Sequence, residues 1–320
     1  MNEITKQLLT MITLSQTLNY QKAAEQLQYA PSTLFKHIQM LEQEVGAAIF
    51  CKTGRQIDSK EDNPGLVIRV QPGTKGERVS IPACVTHGDI DDVVYNDFYI
   101  GEGADVLIVA GCGVHVQTGE PARHNGIHRF FLEKGSHVLY EEKHVGVGTG
   151  LGIRSIDPVT EIYLEEGASL EMDSLQLGGV DTTVRKTSAV VGKDAHLIIR
   201  ERILTEKEQE AQTDFVVEMN GENSSVNLVS RSVARDNSHQ AYRSKIVGNA
   251  PCAGHSECDA IIMDHASVIA SPALTANSVD ASLIHEAAIG KIAGEQLIKL
   301  MTLGLTEQEA EEQIINGFLK

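Results

Sequence analysis

The residues with the most chemical potential lie between Gly248 and Gly317. Cys252, His255 and Cys258 follow one another at three-residue steps, and His285-Glu286 begins 27 residues after Cys258. Thiolate and imidazole are the preferred ligands of soft and borderline metals, and a two-residue spacer lets both meet one ion on a turn. Gly248, Pro251 and Gly254 read as a tight loop around the first trio, with Glu257 and Asp259 flanking Cys258. The bland alternative is a pair of buried structural thiols. Two more Cys-x-x-His pairs occur: Cys112/His115, which continues to His124 and His128 as a candidate metal quartet, and Cys84/His87, which reads as simple packing. The chain lacks a Gly-x4-Gly-Lys-Ser/Thr phosphate loop, so it is not expected to bind nucleotide itself, and it shows no nucleophile elbow.

What must position these side chains is written in a repeat. A turn residue, a small residue and an alternating apolar run recur at Gly103-Ala104, Gly135-Ser136, Gly167-Ala168, Asp194-Ala195 and Asn223-Ser224. The small residues fall 32, 32, 27 and 29 positions apart, with looser copies at Ala266 and Ala281 half a step apart. Strands at so steady a period indicate a solenoid, here a parallel β-helix of about 30 residues per turn. An antiparallel sandwich is the rival, but it would not require the recurrence. One turn apart in sequence means about 4.8 Å apart in space, so Cys258 and His285 are expected to be neighbours.

Composition agrees. The chain has 320 residues, 42% hydrophobic and 22% charged, enough for two domains or one with an appendage. Aromatic content of 4%, no Trp and 28 Gly favour turn-rich β structure. Five Cys, an odd number, in an acidic chain point to thiols in a reducing compartment rather than a disulfide framework. The longest apolar run, Val106 to Val114, is too short for a membrane span, and no targeting core precedes it. A cytoplasmic location without a membrane partner is expected.

The ends are helical. Leu8, Leu9, Ile12 and Leu14 suggest a first apolar helix face, Asn19 caps a second helix through Ala23, Ala24 and Leu27, and a third follows Pro31. Leu34, Ile38, Leu41 and Val45 share its face, Gly46 ends it, and Ile49-Phe50 with Gly54-Arg55 reads as a wing. Residues 58–75 are expected to link the two parts: 58–65 read as a polar loop, Leu66–Val70 alternates toward a strand, and the boundary falls near residue 60. At the other end, a helix from Ile289 to Leu303 carries Ile292, Leu297, Leu300 and Met301 on one face. Thr306 and Glu309 then form a capping box. The expected organisation is 1–57, 58–75, 76–288 and 289–320.

The pattern Ala23-Ala24-Glu25-Gln26-Leu27, Ile38-Gln39-Met40-Leu41-Glu42, Gly46 and Ile49-Phe50 resembles the LysR-type winged helix-turn-helix. That resemblance implies DNA contact by the start of the third helix, at Ser32, Thr33, Lys36 and His37. Ala30 and Phe35 stand where the family has small hydroxyl residues. The segment carries five Lys/Arg against four Glu, or +1, so the remainder of a chain at -17 is -18. Strong nucleic-acid binding by the whole molecule is therefore disfavoured.

From about Gly76 to Leu319 the chain resembles the SufB/SufD family of iron–sulfur cluster assembly proteins. The residues that carry this are Val94-Tyr-Asn-Asp-Phe, Ala110-Gly-Cys-Gly-Val-His115, Gly126-Ile-His128 and Ser230-Arg-Ser-Val. Glu257-Cys258-Asp259, His285-Glu286-Ala-Ala-Ile-Gly and Gly304-Leu-Thr-Glu-Gln-Glu-Ala complete the match. The resemblance implies a mainly β fold, a right-handed parallel β-helix with C-terminal helices, here preceded by the small all-α winged helix-turn-helix. It also implies a scaffold rather than an enzyme, holding a transient iron–sulfur cluster at Cys258 and Glu286 with His285 beside them. The implied partners are a SufC-type ABC ATPase on the C-terminal helices, a sulfur donor protein, and a second subunit in a homodimer or SufB/SufD-like heterodimer. Cys252 and His255 are added as second-choice cluster ligands on chemical grounds. Two alternatives stay open: a LysR-like regulator whose β-helix senses cluster status, and a SufD-like structural partner holding no cluster.

Overall fold

The computed structural model describes residues 3–17, 20–29, 33–34, 36–38, 40, 55–59 and 64–320. Period-two burial turns the apolar alternation into strands: in Asp105–His115 every second side chain is buried. Strands β2 (Gly65–Val70) and β3 (Lys75–Val85) make the first turn of a solenoid. β4 (Ile90–Ile100) with β5 (Asp105–His115), and β6 (Ala122–Leu132) with β7 (His137–Val147), make the next two. The fourth joins β8 (Arg154–Ile156) and β9 (Val159–Leu164) to β10 (Ser169–Leu177). Then come β11 (Thr182–Val191) with β12 (His196–Thr205), and β13 (Glu210–Met219) with β14 (Ser224–Ala234). β15 (His239–Gly248) with β16 (Cys252–Ile262), and β17 (Ser267–Ala276) with β18 (Ser282–Gly290), close the series at eight turns.

Two parallel sheets result, one led by β2 and β4 and ending at β17, the other running from β3 to β18. Asp105, His137, Ser169, His196 and Ser225 pair in one column, at steps of 32, 32, 27 and 29 residues. These are the repeat steps legible in the sequence, and the corner geometry explains them. Gly103, Gly135, Gly167, Asp194 and Asn223 all have φ between 53° and 67°, the left-handed region that glycine, Asp and Asn tolerate best. The small residue after each, Ala104, Ser136, Ala168, Ala195 and Ser224, is buried. Gly146 and Gly179 add a close approach between turns. A Cβ on Gly146 would lie 1.8 Å from the Gly179 carbonyl oxygen, so neither position accepts a side chain.

The stretch expected as a linker contributes to the sheet. β1 (Arg55–Ser59) pairs antiparallel with β2, and β2 pairs in parallel with β4, so the solenoid begins at Gly65 rather than near residue 76. At the far end β17 and β18 are the last strands of their sheets among the described residues, and Ile269 and Ile284 stand exposed.

Helices α1 (Glu3–Thr17) and α2 (Tyr20–Leu27) pack around Leu14, Ala23, Ala24, Leu34 and Ile38. Leu9 and Ile12, expected on the buried face, are exposed, while Gln7, Thr10 and Thr13 face inward. The Thr10 hydroxyl lies 2.9 Å from the His37 Nδ1, which satisfies both polar groups inside the cluster. Leu41, Val45 and, of the wing, Ile49, Phe50 and Gly54 lie outside the described residues, whereas Arg55 begins β1.

The first C-terminal helix starts later than expected, because Ile289 and Gly290 still belong to β18. α3 (Gly294–Met301) buries no residue, and Ile298 and Met301 are exposed. α4 (Glu307–Phe318) carries the capping box on Thr306 and Glu309, and packs Ile315 and Leu319 against Val233. Among the described residues no helix is long and apolar enough to cross a membrane.

Candidate functional site

The interior is not uniformly apolar. Glu142, Ser174, Glu201, Ser230, Cys258 and Ala287 occupy one inward column of the sheet, each paired in register with the next. Arg185 reaches in from the opposite sheet, with Nη1 2.7 Å from Glu142 Oε2 and Nε 3.1 Å from Glu201 Oε1. Glu142 also accepts from the Tyr140 hydroxyl at 3.0 Å, which in turn accepts from His128 Nδ1 at 2.7 Å. Thr213 and Ser230 donate to Glu201 at 2.8 and 3.0 Å. Burial alone would raise the Glu142 carboxyl, but His144 and Arg185 outweigh it and hold it well below the usual carboxylate range. At Glu201 burial prevails over Arg185 and the carboxyl is pushed up. Burial also lowers His128 to about 4, so this imidazole stays neutral and serves as a hydrogen-bond link.

Two turns beyond Glu201 the column reaches Cys258. Its side chain is buried, with Ser230 on one side and Ala287 on the other. Burial pushes the thiol up to about 12, and the Glu201 and Asp259 carboxylates add to the effect. The resting group is a thiol, whereas the thiolate is the nucleophile and metal ligand. His285 shares the inward face with Cys258 but pairs with Ser256, one inward position along. Its Nδ1–H donates to the Ser256 carbonyl at 3.0 Å, which leaves Nε2 as the bare nitrogen.

Glu286 pairs with Glu257 and so points outward, where its side chain is 68% exposed. The expected trio is thus divided by the sheet, with Cys258 and His285 inside and Glu286 outside. The same alternation undoes the expected Cys252-His255-Cys258 loop. These residues form part of a straight strand, so three-residue steps send Cys252 and Cys258 inward and His255 outward. Cys252 is six residues from Cys258, roughly 20 Å along a strand.

The Cys112 quartet does not assemble. Cys112, His124 and His128 point inward, but His115 lies on the outer side and bonds to Gln117 at 2.8 Å. His128 is committed to Tyr140, and His124 Nδ1 sits 2.7 Å from Asp92. Among the described residues, no group of three or more His, Cys, Asp or Glu is placed to hold a metal ion. Cys84 is exposed rather than packed, and His87 bonds only its neighbour Thr86 among the hydrogen bonds described. Of the DNA-facing set, Lys36 is exposed and Thr33 half-buried. His37 is buried, because it falls on the helix face of Leu34 and Ile38, and Ser32 lies outside the described residues.

The Glu142–Arg185–Glu201 network escaped sequence reasoning. Its signal was a charged residue at an inward position of the alternating strands β7, β11 and β12, as in Val138-Leu139-Tyr140-Glu141-Glu142.

Residues 95–318 match the family model for the SUF system FeS cluster assembly, SufBD core domain. The chain belongs to the SufBD family. An "Iron-sulfur cluster assembly SufBD family protein" of Archaeoglobus fulgidus is 32% identical over 263 residues, 81% of this chain and 69% of the relative. A Methanothermobacter thermautotrophicus protein of the same description is 29% identical over 269 residues, 80% of this chain and 62% of the relative. One from Methanocaldococcus jannaschii is 29% identical over 238 residues, covering 73% and 74%. Residues 5–58 match a second model, the bacterial regulatory helix-turn-helix protein, lysR family. The SufBD family and the helix-turn-helix segment expected from the sequence are therefore both present in one chain.

Proposed function

We propose that this SufBD chain is a scaffold on which a nascent iron–sulfur cluster, the cargo of assembly, is built at the last two turns of the solenoid. The observation that carries the reading is that Cys258 and His285, on neighbouring strands and one inward position apart in register, share one inward face at the last turn among the described residues. Cys258 supplies the thiolate and the His285 Nε2 a nitrogen ligand or proton acceptor. A mixed thiolate and imidazole shell suits a donor scaffold, because cluster sites that retain their cluster are typically held by thiolates alone.

In the closed state the buried thiol keeps its proton, so the site must open to act. A SufC-type ABC ATPase docked on α3 and α4 would supply that movement, and the exposed Ile298 and Met301 of α3 support a docking role. The uncovered last turn supports pairing with a second subunit, of the same or a related chain, along β17 and β18. Anaerobic reconstitution with ferrous iron and sulfide, after co-expression with the ATPase, tests the reading. Wild-type protein should develop visible cluster absorbance, and Cys258→Ser should lose most of it. Undiminished absorbance in Cys258→Ser would sink the assignment.

A further inference from the structure

The sheet that does not carry Cys258 has a groove on its outer surface. It crosses the starting ends of β4, β6, β8, β11, β13, β15 and β17 as three adjoining hollows, which share Ile153, Thr182 and Glu210 as common walls. Six strand steps of about 4.8 Å make it roughly 29 Å long, the reach of about eight residues of extended chain. Leu151 and Ile153 on its rim are 94% and 54% exposed, and Ile90 lines the first hollow with Ile153. The loop that presents them is tied down: the Gly150 and Gly152 N–H groups donate to the Val116 and Thr118 carbonyls at 3.0 and 3.1 Å. A Cβ on either glycine would collide with the backbone between Gln117 and Glu120. Aliphatic side chains grouped in the open on an ordered backbone are the pattern of a binding surface. Asp89, Asp91, Glu208 and Glu210 line the same groove, all exposed, and their carboxylates have no hydrogen bond or ion pair among the described residues. The guanidiniums of Arg123 and Arg154 are held by Asp157 and Asp181 at 3.4 and 2.9 Å, so Lys207 is the groove's one cation without a carboxylate partner among the described residues.

We propose that this groove docks a polypeptide segment of a partner protein, one in which Lys or Arg side chains are interleaved with aliphatic ones. Leu151, Ile153 and Ile90 receive the aliphatic side chains, and the four free carboxylates receive the cations. Those charges repel a nucleic acid, and a wholly apolar segment would strip water from the carboxylates without replacing it. The groove and Cys258 lie on different sheets, and α4 packs against Val233 on the Cys258 sheet. A segment docked here therefore competes neither with the inward thiol nor with the seat of α4, and the proposal does not rest on the assembly reading.

The test uses the full chain and a fluorescein-labelled eight-residue peptide of alternating lysine and leucine, with a glutamate–leucine peptide as control, read by fluorescence anisotropy. Wild-type protein should bind the lysine peptide, more weakly as salt rises, and should not bind the glutamate peptide. Leu151→Ser combined with Ile153→Ser should weaken binding at least about tenfold, and Asp89→Asn combined with Glu208→Gln about fivefold. Glu218→Gln combined with Glu222→Gln removes the same charge outside the groove and should change affinity by no more than about twofold. All of these positions are exposed, and thermal melts establish that the variants are folded. Absence of binding in wild type, equal binding of the two peptides, or unchanged affinity in the Leu151/Ile153 variant would each overturn the proposal. An equal loss in the two carboxylate variants would overturn it as well, because attraction by net charge alone would then account for the binding.

Discussion

In the middle turns, Glu142 accepts from Tyr140 and Ser174 and pairs with Arg185, while Glu201 accepts from Thr213 and Ser230 and meets the same Arg185. Two turns on, the same inward column ends in Cys258 and Ala287, which have no ionic partner of that kind. The two regions share a backbone geometry and differ in whether the column carries buried charges paired with an opposite charge. A fully satisfied buried network fixes side chains and resists change. A thiol and an imidazole with a bare nitrogen, on the last turn among the described residues, keep valence available for a ligand. Charges paired across the interior mark the part of the solenoid that is structural, and the thiol and imidazole without a charged partner mark the part that can do chemistry.

The sharpest way to break this comparison is to remove the central cation. Arg185→Leu leaves two buried carboxylates uncompensated, and breaking a buried pair of this kind costs about 3–5 kcal/mol. Arg231→Leu, on the outer face near the last turn, should cost no more than about 1 kcal/mol, since its ion pair is long and partly solvated. Urea unfolding of both variants measures the difference. Equal losses would mean that the central network is no more structural than the surface.

Acid provides the next largest effect. His128 is held near 4 in the folded chain against an ordinary value of 6.5. The unfolded chain therefore takes up this proton first, and stability present above about 6.5 is lost as pH falls toward 4. The loss amounts to roughly 3 kcal/mol at its limit. Glu142, held low, extends the loss to lower pH. Glu201, pushed up, works in the opposite sense, because its contribution is lost as pH rises above the ordinary carboxylate range. Melting temperature followed from pH 7 to pH 4 should fall, and His128→Asn should flatten that limb. A flat wild-type profile would show that His128 is not kept neutral by burial.

Much of the solenoid was legible, because its turns are punctuated by residues that tolerate positive φ. The spacing of Ala104, Ser136, Ala168, Ala195 and Ser224 is the spacing of the turns. The position of His285 was less legible. It lies 27 residues after Cys258, but the turn there is 29 residues long, so Cys258 pairs with Ala287 and His285 falls two positions short. Two positions preserve the face, which is why the Cys258–His285 neighbourhood survives. Glu286, one residue further, is carried to the other side. A corner of unknown length hides that parity from a linear reading. The same limit applies to Cys252, His255 and Cys258, where clustered glycine and proline suggested a loop but alternation prevailed. His37 illustrates the helical counterpart: polar residues read as surface when a partner such as Thr10 on another helix is unseen.

The smallest predicted effect places both ends of the comparison in one column. Ser230→Ala removes a donor from the buried Glu201 carboxyl, and a hydrogen bond to a group of this kind is worth about 1–2 kcal/mol. Ala287→Ser adds a hydroxyl at the equivalent position of the last turn, where the residue is exposed and water can satisfy it. That change should stay within about 0.5 kcal/mol. Chemical denaturation resolves the two, because the substitutions alter one oxygen atom each in opposite directions at stacked positions. If Ala287→Ser is as costly as Ser230→Ala, the last turn is sealed in solution by a partner or by its own helices, and the contrast between a charge-paired middle and an open end disappears. If the costs separate as stated, the end of the column tolerates new polar groups while its centre does not tolerate losing one.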